Sequence, residues 1–197
     1  MTMGKAILFS APSGCGKTTI IKELMASAPL EHFNPADLTF SISATSRRPR
    51  EGERDGVDYY YLGYEEFRQR VAAGDFLEWE EVYEGTCYGT LKSEVSRIWD
   101  SGRVIVFDVD VNGGRNIKRY FGDDALSIFV MPPSVEVLEQ RLRTRGTESE
   151  ESIRKRLARS AKELEEAPMF DVTIVNDDLQ RAVEETRRVI ERFLKGE

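Results

Sequence analysis

An α/β fold, a parallel sheet flanked by helices, is predicted by three features: short all-apolar runs of strand length, an amphipathic helical segment after each, and a glycine-rich turn directly behind the first. The runs lie at 6–9, 104–107, 128–131 and 172–175 and lack polar alternation, so they suit strands covered on both faces. Behind the first run, Ile20, Ile21, Leu24 and Met25 recur at helical spacing. Ser134 can cap a helix that carries Val135, Leu138 and Leu142 on one face. A last helix aligns Leu179, Ala182, Val183, Thr186, Ile190 and Phe193 toward a core. Two stretches break this rhythm. Residues 39–92 are rich in Thr, Tyr and Gly, with short strand-like pieces such as 59–62 and one helix at 64–73, and read as an inserted mixed α/β module. Residues 145–168 are charge-rich, open with the capping box Thr147-x-x-Glu150, and read as a mobile helical lid. The core then comprises 1–38, 93–144 and 169–197, all within a single domain.

A chain of 197 residues can bury one core of good size. With 35 acidic against 28 basic residues the net charge is −7, which argues against broad attraction to nucleic acid or anionic membrane. Any bound anion must therefore meet a local cationic cluster. No apolar run approaches the roughly 20 residues of a membrane span, and the first strand begins without a signal-peptide pattern, so a cytoplasmic location is expected. Cys15 and Cys87 make neither a disulfide framework nor a metal-ligand set, and with His32 as the only histidine a His-based triad or His metal cluster is excluded.

The turn behind the first run reads Ser10-Ala11-Pro12-Ser13-Gly14-Cys15-Gly16-Lys17-Thr18-Thr19. Small residues and glycines let successive backbone N–H groups turn inward around a phosphate, and the following helix starts with its positive end aimed at that anion. In such a P-loop, Lys17 reaches the β- and γ-phosphates of a nucleotide and the Thr18 hydroxyl sits on Mg²⁺. Residues 11–19 are the expected ATP-binding loop, although position 11 is Ala where the strict pattern has Gly.

Arg47 and Arg50 lie in a stretch bent by Pro49 and Gly52, where two guanidinium forks can meet a phosphate dianion; Glu51, Glu53 and Asp55 leave an ordinary solvated charged loop equally open. Arg141, Arg145, Arg154, Arg156 and Arg159 form a second basic set, which a salt-bridged helix face explains for most members. Asp108 and Asp110 follow a strand, at the edge where ligands gather in open α/β sheets, and an acid there can hold Mg²⁺ directly or through water; a helix cap formed with Asn112 and Gly113 is the alternative. Glu78 is as compatible with the surface as with a site, and Tyr59, Tyr88 and Trp79 on spacing alone suit core or half-exposed packing better than ligand contact.

Seven ordered motifs extend the pattern along the chain: residues 10–17; Ser43 with Arg47, Arg50, Gly52-Glu53, Gly56 and Tyr59; Phe76-Leu77-Glu78-Trp79; Tyr88-Gly89-Thr90; Asp108-Val109-Asp110; Arg145 to Arg156; and Val175-Asn176-Asp177. In these the sequence resembles the guanylate kinases over nearly its whole length. The resemblance implies a P-loop nucleoside monophosphate kinase fold with a GMP-binding insertion and a lid. It implies ATP and GMP as substrates, with dGMP a second acceptor, and Mg²⁺ as the accompanying ion, held by Thr18 and, through water, by Asp110. Arg47, Arg50, Tyr59 and Tyr88 would hold the GMP phosphate, Ser43, Glu78, Thr90 and Asp108 would surround the guanine, and Arg145 and Arg156 would close on the transferring phosphates, with Lys17, Arg47, Arg145 and Arg156 as the catalytic set. Asn112 stands where the family commonly has Gln, and Cys87 precedes Tyr88 where a second aromatic is frequent.

This implied reaction suits a histidine-poor chain, because a phosphate oxygen is already anionic near neutral pH and needs no general base. Two readings compete: a catalytically inactive module of similar fold that binds a phosphorylated peptide, and a related P-loop kinase with another phosphorylated acceptor. The intact Lys17, Thr18 and lid arginines argue against the first. The oligomeric state stays open.

Overall fold

The computed structural model describes residues 4–144 and 150–197. Five strands form the central sheet, beginning with β1 (Ala6–Ser10) and β2 (Leu38–Phe40). Four more build a second sheet: β3 (Ala44–Thr45), β4 (Tyr60–Tyr61), β5 (Phe76–Tyr83) and β6 (Thr86–Leu91). The central sheet is completed by β7 (Val104–Val109), β8 (Ala125–Met131) and β9 (Val172–Val175). Its order is β2-β7-β1-β8-β9, and every pairing is parallel. The second sheet runs β4-β3-β6-β5 and is mixed. The helices are α1 (Lys17–Ala26), α2 (Tyr64–Ala72), α3 (Lys92–Asp100), α4 (Val111–Phe121), α5 (Val135–Thr144), α6 (Glu150–Leu164) and α7 (Leu179–Lys195).

The apolar runs are buried on both faces because successive side chains of each strand enter different cores. Ile7 and Phe9 point into a core shared with α1, α5 and α7, through Ile20, Leu24, Leu138, Ala182 and Ile190. Ala6 and Leu8 point the other way, into a core built with Val95 and Ile98 of α3 and Ile117 and Phe121 of α4. Among the described residues no helix is long and apolar enough to cross a membrane.

One expectation is corrected by the sheet. The sheet has a fifth strand, β2, absent from the apolar runs read above; it pairs with β7 at the sheet edge, so residues 39 and 40 belong to the central sheet and not to the insertion. Its three residues include Thr39 and only Leu38 is fully buried, so it carries no continuous apolar signal. The helical reading after Thr147 is met by α6, whereas Thr147 and Arg145 lie outside the described residues.

Because β1 is flanked by β7 on one side and β8 on the other, the chain direction across the sheet changes there, and a crevice opens at the carboxyl ends. Register aligns Ser10 with Val109 of β7 and Phe129 of β8. The turn into α1 therefore lies beside residues 108–110. The second sheet has its own small core, with Phe67 of α2 stacked against Phe76 at 4.4 Å between ring centres. Phe67→Ala should cost about 3–5 kcal/mol, read as a lower urea midpoint; a loss under about 1 kcal/mol would mean that this ring does not hold the insertion together.

Candidate active site

The turn from β1 into α1 is tight. Gly14 and Gly16 adopt φ of 98° and 88°, conformations open to glycine, and a Cβ on Gly16 would run into the amide of Asn176. No residue other than glycine has positive φ among the described residues, which explains why Ala11 is accommodated at the first position of the loop. Asn176 donates from Nδ2 to the Cys15 carbonyl at 2.8 Å, and its own carbonyl accepts from Arg141 at 2.8 Å. The Cys15 side chain, like that of Ala11, packs into the core, and burial pushes its thiol up to about 12, so it stays an unreactive neutral group.

A cavity of about 990 Å³ opens over this loop, walled by residues 11–14 and 16–19, by Asp108, Val109 and Asp110, and by Arg156 and Arg159 of α6. Lys17 donates to the Val109 carbonyl at 2.7 Å and pairs with Asp108 at 2.5 Å; Thr18 Oγ1 lies 3.4 Å from the other Asp108 oxygen. Arg156 donates to Ser13 Oγ at 3.2 Å, which brings α6 onto the loop. Asp110 takes the alternative role read for it, capping α4 by accepting from the Gly113 N–H at 2.8 Å, while its second oxygen stands 3.8 Å from Arg159.

A second, smaller cavity of about 180 Å³ is lined by Ser43, Tyr59, Glu78, Glu80 and Tyr88 of the insertion and again by Asp108, Val109 and Asp110. The two cavities thus share one wall. Glu78 lies opposite Thr90 in the β5–β6 ladder, and the buried Thr90 hydroxyl donates to it at 2.8 Å. Burial pushes the Glu78 carboxyl up to about 7, against the Thr90 bond and with help from the nearby Asp110 charge. Glu80 is also raised, by burial and by Asp110 beside it.

At the rim, Arg47 is held by a two-pronged pair with Glu53, at 2.6 and 2.8 Å, and donates from Nε to the Tyr88 hydroxyl at 3.1 Å. Its guanidinium lies 5.0 Å from the centre of the Tyr59 ring. Arg50 joins this cluster through its backbone N–H, which donates to Glu53 at 2.7 Å, while its side chain is exposed. The structure therefore gathers Ser43, Arg47, Tyr59, Glu78, Tyr88, Thr90 and Asp108 around one cavity. Asp108 also reaches Lys17 and Thr18, so it belongs as much to the loop as to the smaller cavity.

Comparison with known proteins matches residues 3–193 to the family model described as guanylate kinase. The chain belongs to the guanylate kinase family. It is 50% identical to the guanylate kinase of Porphyromonas gingivalis, over 98% of this chain and 99% of that one, and 53% identical to that of Bacteroides thetaiotaomicron, over 98% and 92%. Among solved structures, the guanylate kinase from Anaplasma phagocytophilum superimposes with a TM-score of 0.71 at 26% identity, covering 96% of this chain and 86% of that chain. The enzyme is a nucleoside monophosphate kinase, a phosphotransferase, with that family's fold.

Glu53 and Asn176 belong to this geometry although the sequence reading assigned them no role; Arg159, placed in the second basic set, does pair along its own helix with Glu163 at 2.7 Å and also walls the larger cavity. Glu53 had one available signal, a carboxylate carried back toward Arg47 by the turn at Gly52. For Asn176 the signal was its place in Val175-Asn176-Asp177 alone, since its partner is 161 positions away.

An acid whose pKa is raised on folding favours the folded state when protonated. For Glu78 that contribution is complete below the ordinary value of 4.5 and is lost as pH rises through about 7. Glu78→Gln mimics the protonated form at every pH. In the absence of nucleotide its stability relative to wild type should therefore climb between about pH 5 and about pH 8, by up to about 3 kcal/mol. Urea melts of both proteins across that range check this, and a difference that stays flat would remove burial as the controlling influence on Glu78.

Proposed function

We propose that the enzyme transfers the γ-phosphoryl group of Mg²⁺-bound ATP to GMP, giving ADP and GDP, with dGMP as a second acceptor, and that it acts in the cytoplasm in the recycling of purine nucleotides. The observation that carries this reading is the shared wall of the two cavities at residues 108–110, one over a phosphate-cradling loop and the other lined by a half-buried carboxylate, a serine and two tyrosines.

In this reading ATP lies along residues 11–19 and Lys17 exchanges Asp108 for β- and γ-phosphate oxygens. The donors near Thr18, a hydroxyl and the carboxylates of Asp108 and Asp110, are hard oxygen ligands of the kind Mg²⁺ takes together with phosphates and water. Thr18, and Asp110 through water, would hold the ion, which when bound neutralises charge on the phosphates. Arg47, Arg50, Tyr59 and Tyr88 would hold the GMP phosphate. The Arg47–Tyr88 bond supports this, and Glu53 would then share Arg47 with the phosphate. A GMP phosphate oxygen, already anionic, forms its bond to the γ-phosphorus as the bond to the β–γ bridging oxygen breaks, and ADP leaves with that electron pair. The protein's part is to hold two anions in line and to offset their charge.

Ser43, Glu78, Thr90 and Asp108 would surround the guanine, Thr90 acting through its bond to Glu78. Arg156 would close with the lid over the transferring phosphates, and its contact with Ser13 supports that approach. Arg145 carries the same proposed role on resemblance alone. We further propose that the insertion and the lid move as units against the core, which would keep water from the γ-phosphoryl group until both nucleotides are bound.

The test is a coupled assay of ADP formation with GMP, dGMP, AMP, UMP and ribose phosphates as acceptors. Turnover should be confined to GMP and dGMP, and Lys17→Met should lower kcat by about 100-fold or more, with the protein still folded. Turnover centred on another acceptor, or a near-normal Lys17→Met enzyme, overturns the proposal.

Base choice follows from donor and acceptor pattern. Guanine offers N1–H and its 2-amino group to a carboxylate, whereas adenine meets it with a lone pair at N1. Glu78→Gln should therefore lower the ratio of kcat/KM for GMP over AMP by about tenfold or more, chiefly through weaker GMP use. An unchanged ratio would show that Glu78 does not read the base.

A further inference from the structure

The insertion joins the core through two connections. One is the linker 41–43 between β2 of the central sheet and β3 of the second sheet; the other is the junction where β6 ends at Leu91 and α3 starts at Lys92. Glu94, in the first turn of α3, sits between them with its side chain 1% exposed. Its Oε1 accepts from the backbone N–H of Ile42 at 2.9 Å and from Arg97 at 2.8 Å. Its Oε2 accepts from the Tyr60 hydroxyl at 2.9 Å and from Arg97 Nε at 2.8 Å. Each of these contacts is a donor to a carboxylate, which has only acceptors to offer.

The three segments that meet here differ in allegiance. α3 is packed on the central sheet through Val95 and Ile98, Tyr60 packs against the insertion's own core, and Ile42 lies in the linker itself. Ser43 follows Ile42 directly, and its carbonyl accepts from the backbone N–H of Tyr60 at 2.9 Å. Glu94 thus grips both backbone neighbours that set where Ser43 stands, without lining either cavity.

We infer that Glu94 is a positioning residue for the acceptor: from the core side of the hinge it fixes the linker and β4, and so holds Ser43 and the insertion at the angle from which the smaller cavity receives its ligand. This rests on the reading of that cavity as the site of the GMP base. The function follows from chemistry as well as from place. A buried carboxylate with four donors is a rigid node: its two bonds to Arg97 stay within α3 and hold the carboxylate in place, and the two that reach Ile42 and Tyr60 would have to stretch for the insertion to settle at another angle.

Glu94→Gln keeps the shape but turns an amide NH₂ toward partners that are themselves donors. Tyr60→Phe removes one hydroxyl and nothing else, which keeps the test open should the first variant fold poorly. Steady-state kinetics with GMP and ATP varied in turn, well below the melting transition, should show the KM for GMP raised roughly tenfold in Glu94→Gln and about threefold or more in Tyr60→Phe, with the KM for ATP unchanged within about twofold. Hydrogen exchange should quicken at the Ile42 and Tyr60 amides in Glu94→Gln while the β1 and β8 amides keep their protection. A merely structural role would lower the melting temperature and leave the two KM values in their wild-type ratio, and that result overturns the inference. Failure of wild type to use GMP at all is a separate outcome, which overturns the acceptor assignment and this inference with it.

Discussion

The site depends first on how tightly the chain turns between β1 and α1. Gly14 and Gly16 take up positive φ, the Asn176 amide fills the space a side chain on Gly16 would need, and Lys17 is drawn down onto the Val109 carbonyl and Asp108. That arrangement works because β1 is bracketed by β7 and β8, so the loop emerges at the carboxyl edge with the Asp108–Asp110 segment alongside it. Every other part of the site is placed relative to this edge. α6 arrives over it through Arg156 and Arg159, and the insertion's cavity abuts it through the same three residues of β7 and its end.

Three glutamates show how surroundings assign different tasks to one side chain. Glu78 is half-buried with one neutral donor, so the loss of hydration dominates and its carboxyl rises to about 7. Glu94 is buried, and burial alone would raise it, but Arg97, the Ile42 N–H and the Tyr60 hydroxyl outweigh that and hold it below the ordinary carboxylate range. Glu53 is held down to about 2 by Arg47 first and the Arg50 N–H next. The number and charge of the donors decide between them. A carboxyl poised near neutrality suits a ligand that brings its own donors, whereas one already saturated suits a fixed joint or a fixed partner for an arginine.

Much of the frame was legible in the chain before any coordinates. The runs at 6–9, 104–107, 128–131 and 172–175 all became strands of the central sheet, because a strand covered on both faces has nowhere to put a polar side chain. β2 escaped notice because an edge strand of three residues, one of them threonine and two only half buried, leaves no such trace. The glycine-rich loop behind β1 was legible because its pattern is written in consecutive residues. The grip of Asn176 on that loop, and of Glu94 on Ile42 and Tyr60, was not, since partners 161, 52 and 34 positions apart share no local pattern.

By itself, then, the sequence determined the fold class, the loop with its lysine, and, through the order of its motifs, the family. These are properties of short segments, set by hydrophobic periodicity, glycine's conformational freedom and residue spacing. Tertiary structure alone decided that Asp108 faces both cavities, that Asp110 spends one oxygen on a helix cap, that Arg47 is already paired with Glu53, and which buried carboxylates are saturated with donors. Those outcomes depend on hydrogen-bond geometry and on burial, and both arise only when segments distant in the chain are brought within about 3 Å of one another.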